Sequence, residues 1–149
     1  MATATTQRGE PPAKLAAPAR QIAIIVSKGT LDMAYPGLLL ANAALISGIE
    51  TTLFFTFSGL EVVTRERFDH LQAPAAASSM MKGRMARIDL PGVRDMLQIL
   101  SDNGAHLYAC GLAMEMFQLK QEELVPQVEA VVSTMEFFAR TQGAQLLFI

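Results

Sequence analysis

The stretch HLYACGLAMEMF, residues 106–117, contains the only cysteine of the 149-residue chain. Residues 105–109 are short, apolar and aromatic, as is common in a buried strand. From Gly111 onward the apolar residues recur near helical spacing. The pattern therefore predicts a strand that ends at Cys110 and a helix that begins directly after it.

The position of Cys110 at the junction of strand and helix favours a reactive side chain. In open α/β sheets, ligands bind in the crevice at the carboxyl ends of the parallel strands. The unpaired N–H groups and the positive dipole end of a helix also favour a thiolate over a thiol. We therefore interpret Cys110 as a reactive thiol and as the candidate catalytic residue. The alternative is a small hydrophobic residue chosen for packing, which is the usual role of a lone cysteine in such a domain.

The rest of the chain predicts strands that alternate with helices. The helix at 33–47 is apolar nearly all round and should lie buried between the sheet and a neighbour, and Phe55 and Phe57 are assigned to the core. About five strands in this order indicate a three-layer α/β/α fold with a mostly parallel sheet. The predicted strands are 21–26, 51–57, 105–110, 128–132 and 145–149, and the predicted helices are 33–47, 93–101, 111–117 and 135–141.

The chain length suits one domain with a proper core. Residues 1–20 are rich in Ala, Thr and Pro and are predicted to form a disordered tail, so the α/β domain covers 21–149. Residues 70–90 combine methionines with basic side chains such as Lys82 and Arg84. This insertion is interpreted either as a mobile flap that docks an anionic substrate, a membrane surface or a protein, or as an ordinary solvated insertion.

Several groups are candidates for anion binding near Cys110. Lys28 and Gly29 follow the first strand and should lie at the same edge of the sheet as the cysteine. Gly111 begins the helix after Cys110, and Lys82 and Arg84 could reach the thiol from the flap. The order of residues around Lys28 does not match a Walker A phosphate loop. For Lys28, simple solvation is the competing interpretation.

Composition excludes several functions. A formal charge of −2 gives no field that favours nucleic acid. No metal site is expected, because His106 and Cys110 would lie about 13 Å apart at roughly 3.3 Å per strand residue. A single cysteine excludes an internal disulfide and no secretory signal is present, so a cytoplasmic protein is expected. The longest apolar run is too short to span a membrane. Because 51% of the residues are hydrophobic, we also expect a homo-oligomer.

Three stretches resemble the DsrE/DsrF-like family of small sulfur-relay proteins, in the branch often labelled peroxiredoxin-like. They are IAIIVSKGTLDMAYP at 22–36, TLFFTFSGL at 52–60, and the cysteine stretch, and with the order of elements the resemblance covers roughly 20–149. It implies that Cys110 carries a persulfide, without a cofactor, as a sulfur carrier or sulfurtransferase. It also implies sulfur donor and acceptor proteins or low-molecular-weight thiols as partners, within homo- or hetero-oligomers. Peripheral contact with a membrane is compatible with this interpretation but is not required.

The main hypothesis is therefore a persulfide carrier in a sulfur relay that uses the single cysteine, and whether it is an enzyme stays open. One alternative is a binding or assembly module whose cysteine is buried and inert. A thiol peroxidase is a third hypothesis. It is weakened because Cys110 lacks the Thr or Pro–Cys arrangement of true peroxiredoxins.

Overall fold

The strands form one parallel sheet of five. The computed structural model describes residues 21–67 and 75–149, without the side chains of 75–79, so the predictions for 1–20 and 68–74 lie outside the described residues. The strand order is β4-β3-β2-β1-β5, and every pairing is parallel. This confirms the predicted α/β class. The strands are β1 (Gln21–Val26), β2 (Glu50–Phe55), β3 (His106–Cys110), β4 (Ala130–Val132) and β5 (Gln145–Phe148).

Helices connect the strands, as the hydrophobic pattern predicted. Ser133 caps the last helix, where the backbone N–H of Glu136 donates to the Ser133 hydroxyl oxygen over 3.1 Å. Most of the predicted insertion at 70–90 is helical. Within the described residues the α-helices are α1 (Leu31–Ile46), α2 (Ala75–Arg87), α3 (Val93–Asp102), α4 (Gly111–Met116) and α5 (Thr134–Arg140), and 3-10 helices span Phe57–Val63 and Gln121–Glu123.

The sheet is covered on both faces. On one face α1 packs against α3, and Gly37 of α1 lies against Ile24 of β1. On the other face Phe137 of α5 stacks on Phe54 of β2, with ring centroids 4.5 Å apart. Leu53 and Leu107 are fully buried within the core. The architecture is therefore the predicted three-layer α/β/α arrangement.

Two apolar side chains that were assigned to the core, Phe55 and Phe57, differ in burial. Phe55 is completely buried, whereas Phe57 is 48% exposed and begins a 3-10 helix with φ of 48°. The prediction for Phe57 is wrong because the strand ends at Phe55 and the chain turns out of the sheet. The helix α1 is buried toward the sheet and toward α3, whereas Leu40 and Ile46 on its outer side are exposed.

Tyr35 links two helices, and its burial gives a testable pH dependence. Its hydroxyl donates to the carbonyl oxygen of Pro91, just before α3. Burial raises the pKa of Tyr35 above the ordinary value of 10.0, because the charged phenolate is poorly solvated there. Ionisation therefore opposes folding, and the stability that the neutral phenol contributes is lost as the pH rises through the raised pKa.

We expect Tyr35→Phe to lower the free energy of unfolding by about 0.5–1.5 kcal/mol at neutral pH, through loss of one hydrogen bond. Above about pH 10 the difference between the two proteins should shrink, because only the native protein must keep this phenol protonated. Urea unfolding at pH 7 and at alkaline pH measures both effects. A difference that grows with pH would contradict the assignment.

Candidate functional site at the carboxyl edge of the sheet

Cys110 is the last residue of β3 and the N-cap residue of α4, with φ of −75° and ψ of 116°. The predicted junction of strand and helix is therefore confirmed. The side chain is buried, with 3% of the residue exposed. The helix α4 is only six residues long. The sequence indicated the backbone position of this thiol and left its burial open, and the folded chain covers it.

The strand register fixes the face on which the thiol lies. Tyr108 pairs with Phe54, and Phe54 stacks on α5, so Tyr108 points toward α5. Because side chains alternate along a strand, Cys110 lies on this same α5 face. Its partner in β4 is Val132, which is 2% exposed. Cys110 is therefore buried, and its cross-strand neighbour is a buried apolar residue.

Two glycines shape the sheet edge near Cys110. A Cβ atom on Gly29 would lie 2.2 Å from the carbonyl oxygen of Ser58, and one on Gly59 would lie 1.9 Å from the carbonyl oxygen of Val26. The loop after β1 and the loop after β2 therefore approach each other backbone to backbone, which only glycine permits. Gly29, a predicted anion-binding residue, is packed into this contact.

Lys28 lies on the same edge but not beside Cys110. Its side chain is exposed, and its strand is separated from β3 by β2. Two strand spacings place the two backbones about 10 Å apart. The structure therefore brings Lys28 to the predicted edge without placing it against the thiol.

The other predicted anion-binding residues occupy two different helices. Gly111 is the first residue of α4, and a Cβ atom there would lie 3.4 Å from Cγ1 of Val131. Lys82 and Arg84 are exposed residues of α2. That helix contacts the core through Met81 and Met85. Its basic side chains face solvent.

Sequence reasoning missed an apolar surface beside the cysteine. Phe57 and Phe117 line a small cavity of about 40 Å³ between the 3-10 helix after β2 and the end of α4. On α4 itself, Leu112 and Met116 are 64% and 58% exposed. The helical spacing of these two residues was visible in the sequence. Periodicity alone, however, does not show whether such a row of apolar side chains faces the core or the solvent.

The titratable groups with clear contacts pair with one another or with Tyr108, and not with Cys110. His106, at the amino end of β3, has its Nδ1 atom 3.1 Å from the carboxylate of Glu129. Arg140 donates to Glu136 over 2.6 Å and lies over the Tyr108 ring, 5.0 Å from its centroid. The hydrogen bond to Glu136, followed by that to Tyr108, raises the pKa of the Arg140 guanidinium. No histidine or carboxylate therefore emerges as an acid or base for the cysteine in the described part of the chain.

Residues 21–67 and 75–149 contain no group of three or more His, Cys, Asp and Glu side chains that could hold a metal ion. Over the same described ranges, none of the helices combines the length and the hydropathy needed to cross a bilayer.

Comparison with known proteins connects this architecture to a family. The model of the DsrE/DsrF/DrsH-like family matches residues 18–77 and 68–148. The chain is 24% identical to the sulfur carrier protein DsrE2 of Allochromatium vinosum, over an alignment of 136 residues that covers 74% of this chain and 86% of that protein.

Two solved structures share the fold. One is the protein of unknown function MTH1491 from Methanobacterium thermoautotrophicum, with a TM-score of 0.61 and 10% identity, which covers 87% of this chain and 98% of that one. The other is the ychN protein from E. coli, with a TM-score of 0.61 and 18% identity, which covers 87% and 99%.

Proposed function

Because the chain belongs to the DsrE/DsrF/DrsH-like family, we propose that it acts in a sulfur relay and carries sulfane sulfur as a persulfide on Cys110. The observation that carries the proposal is the position of the only cysteine. It ends an inner parallel strand at the carboxyl edge of the sheet, the edge at which open α/β folds generally bind ligands, in a chain related to a sulfur carrier.

The proposed chemistry needs two attacks at sulfur. The Cys110 thiolate attacks the terminal sulfur of a donor persulfide, which forms Cys110–S–SH and releases the donor thiolate. An acceptor thiolate then attacks the same terminal sulfur and releases the Cys110 thiolate. The two steps involve no net oxidation and no cofactor. The donor and acceptor are proteins or low-molecular-weight thiols.

Burial of Cys110 adds a condition to this proposal. With 3% of the residue exposed, a donor reaches the sulfur only when the side chains that cover it move. The exposed residues Leu112 and Met116 provide an apolar surface on α4, next to the cysteine, on which a partner protein could dock. In this scheme the covered persulfide is protected from free thiols between the two transfers.

Sulfur loading and thiol labelling test the proposal together. The full chain is treated with polysulfide, freed of excess reagent and weighed by intact-protein mass spectrometry. We expect a gain of one sulfur atom on Cys110. In parallel, a small thiol reagent should label native Cys110 at a measurable rate, more slowly than in urea. Absence of added sulfur under conditions in which the small reagent reacts would refute the persulfide proposal.

A second candidate function is a binding or assembly module in which Cys110 is inert. The observation that favours it is the same burial of the thiol. In that case the native protein resists both polysulfide and the small reagent, while the unfolded protein reacts with both. The loading experiment therefore separates the two candidates directly.

We also propose that the chain forms a homo-oligomer in the cytoplasm. Large apolar side chains are exposed at separate places on the chain, among them Ile46 at 79%, Met135 at 83% and Phe148 at 74%. Surfaces of this kind are common where subunits meet. Sedimentation equilibrium should therefore give a mass of at least twice the 16.1 kDa of one chain.

Lys28 is proposed to attract anionic sulfur donors over a distance rather than to bind them at the thiol. We expect Lys28→Gln to slow loading from thiosulfate by less than about tenfold, and the effect to fade as ionic strength rises. Quenched reactions analysed by mass spectrometry at low and high salt measure this effect. A salt-independent loss would contradict the proposed role.

A further inference from the structure

Thr56 places a polar side chain in the strand next to Cys110. It follows β2 directly and keeps an extended backbone, with φ of −137° and ψ of 156°, and its N–H donates to the carbonyl oxygen of Val26 over 3.0 Å. Phe55 of β2 lies opposite Ala109 of β3 in the parallel register. The next residue along each chain is Thr56 on one side and Cys110 on the other, so these two residues lie opposite each other.

Both side chains point to the same face of the sheet. Phe54 of β2 stacks on Phe137 of α5, so Thr56, two residues later in an extended chain, points toward α5 as well. Cys110 lies on that face too. Neighbouring strands are about 4.8 Å apart. Rotation about the Cα–Cβ bonds can therefore bring the Thr56 hydroxyl to hydrogen-bonding distance of the sulfur.

The Thr56 hydroxyl is buried and unpaired. The residue is 8% exposed. Although it is the N-cap of the first 3-10 helix, it makes no side-chain cap hydrogen bond, and across residues 21–67 and 75–149 its hydroxyl has no other partner. Ser27, which follows β1, instead donates its hydroxyl to the carbonyl oxygen of Ile149 over 2.6 Å. Most buried hydroxyl groups in folded proteins have such a partner, so the Thr56 hydroxyl is a donor in reserve on the face that carries the cysteine.

In the part of the chain that the structure describes, the Cys110 sulfur also accepts no hydrogen bond. Cys110 is the N-cap of α4 and makes no side-chain cap hydrogen bond. The charged groups on the neighbouring helices are engaged or exposed, because Glu136 and Arg140 of α5 pair over 2.6 Å and Glu115 of α4 is in solvent. A thiol needs no donor. A thiolate is an anion, and a hydrogen bond to the charged form favours that form.

We propose that the Thr56 hydroxyl donates a hydrogen bond to the Cys110 sulfur when that sulfur is a thiolate, an inference that rests on the proposed persulfide function. The hydroxyl keeps its proton throughout, and the proton of the thiol leaves to solvent. The thiolate is the attacking group when sulfur is loaded and the leaving group when sulfur is delivered. The same hydrogen bond therefore favours both transfers.

Alkylation of the native thiol by iodoacetamide across a series of pH values tests this role, because the thiolate is the form that reacts. Thr56→Val replaces the hydroxyl by a methyl group of similar size. We expect it to slow alkylation about threefold near neutral pH, where the smaller thiolate fraction outweighs the higher nucleophilicity of an unbonded thiolate. At alkaline pH both chains carry the thiolate, so Thr56→Val should react at least as fast as the native chain.

Two further variants serve as controls. Thr56→Ser keeps the hydroxyl and should follow the native pH profile. Thr52→Val is the matched control, because Thr52 is a buried threonine on the same face of β2 whose hydroxyl also has no partner among the described residues, but which lies opposite His106 at the amino end of β3. It should leave the profile unchanged. Sulfur loading by polysulfide near neutral pH should rank the variants in the same order.

The possible results separate this role from the persulfide proposal. Equal rates in Thr56→Val and the native chain, a deficit of the same size at every pH, an equal deficit in Thr52→Val, or a Thr56→Ser chain as slow as Thr56→Val would each overturn the role of Thr56. Absence of alkylation at every pH would overturn it as well. The expected alkylation profile without any loading by polysulfide would instead refute the persulfide proposal and support the hydrogen bond.

Discussion

Replacing Cys110 by serine is expected to eliminate persulfide formation completely. The chain has no other cysteine, so no second thiol can accept sulfane sulfur or resolve an intermediate. Intact-protein mass spectrometry after polysulfide treatment should show the gain of one sulfur atom in the native chain and none in Cys110→Ser. Because the site is apolar and buried, the serine hydroxyl should also lower the free energy of unfolding by about 1–3 kcal/mol.

The control for this experiment must separate loss of sulfur chemistry from loss of fold. Cys110→Ala removes the thiol without burying a hydroxyl, and it should also fail to load while its circular dichroism stays native. Adding Ser47→Cys to Cys110→Ser places an exposed thiol at the end of α1. That surface persulfide should lose its sulfur to added free thiol faster than Cys110 does in the native chain. Equal rates would contradict a protective role for burial.

The fold was largely predictable because the strands carry strong local signals. The β-branched run at Gln21–Val26 predicted β1 with its observed bounds, and Gly111 marked the start of α4. Phe57 shows where local pattern fails. The sequence around it continues to favour a strand, but β2 ends at Phe55, and the 3-10 helix that follows brings Gly59 against the backbone of Val26.

Side-chain burial was less predictable than backbone position. Met135, Phe137 and Phe138 are all large and apolar and lie close together in the sequence, yet of these three only Phe137 is fully buried, because α5 presents one narrow face to the sheet. The solvent accessibility of the Cys110 sulfur was hard to predict for the same reason. A lone cysteine at a strand end has the same sequence pattern whether the side chains that fold over it leave the sulfur open or closed.

Cavities lined by residues from distant parts of the chain mark a further limit of sequence reasoning. Arg65 and Arg94 come from separate parts of the chain and meet one cavity only through tertiary packing. No spacing rule connects them, and neither belongs to a motif. The bridge between Thr64 and Leu124 brings the two loops together, and a lone antiparallel bridge in a parallel fold has no recognisable sequence signature.

A methyl group added at the contact between the loops after β1 and β2 is expected to cause a larger loss of stability than one added elsewhere. In Gly59→Ala, the new Cβ atom would lie 1.9 Å from the carbonyl oxygen of Val26 and 2.7 Å from its carbonyl carbon. Both atoms belong to the backbone of a central strand, so no flexible side chain can yield. The Val26 oxygen also accepts a hydrogen bond from the N–H of Thr56 over 3.0 Å, which joins β1 to β2.

We therefore expect Gly59→Ala to lower the free energy of unfolding by about 3 kcal/mol or more, at the upper end of the cost of overpacking. Urea unfolding measures it, and Gly83→Ala is the matched control. Gly83 lies in α2 with open space around the position of a Cβ atom, so alanine there should raise stability by up to about 1 kcal/mol. A near-neutral Gly59→Ala would mean that the two loops do not touch, and the sheet edge that positions Cys110 would then have a different geometry.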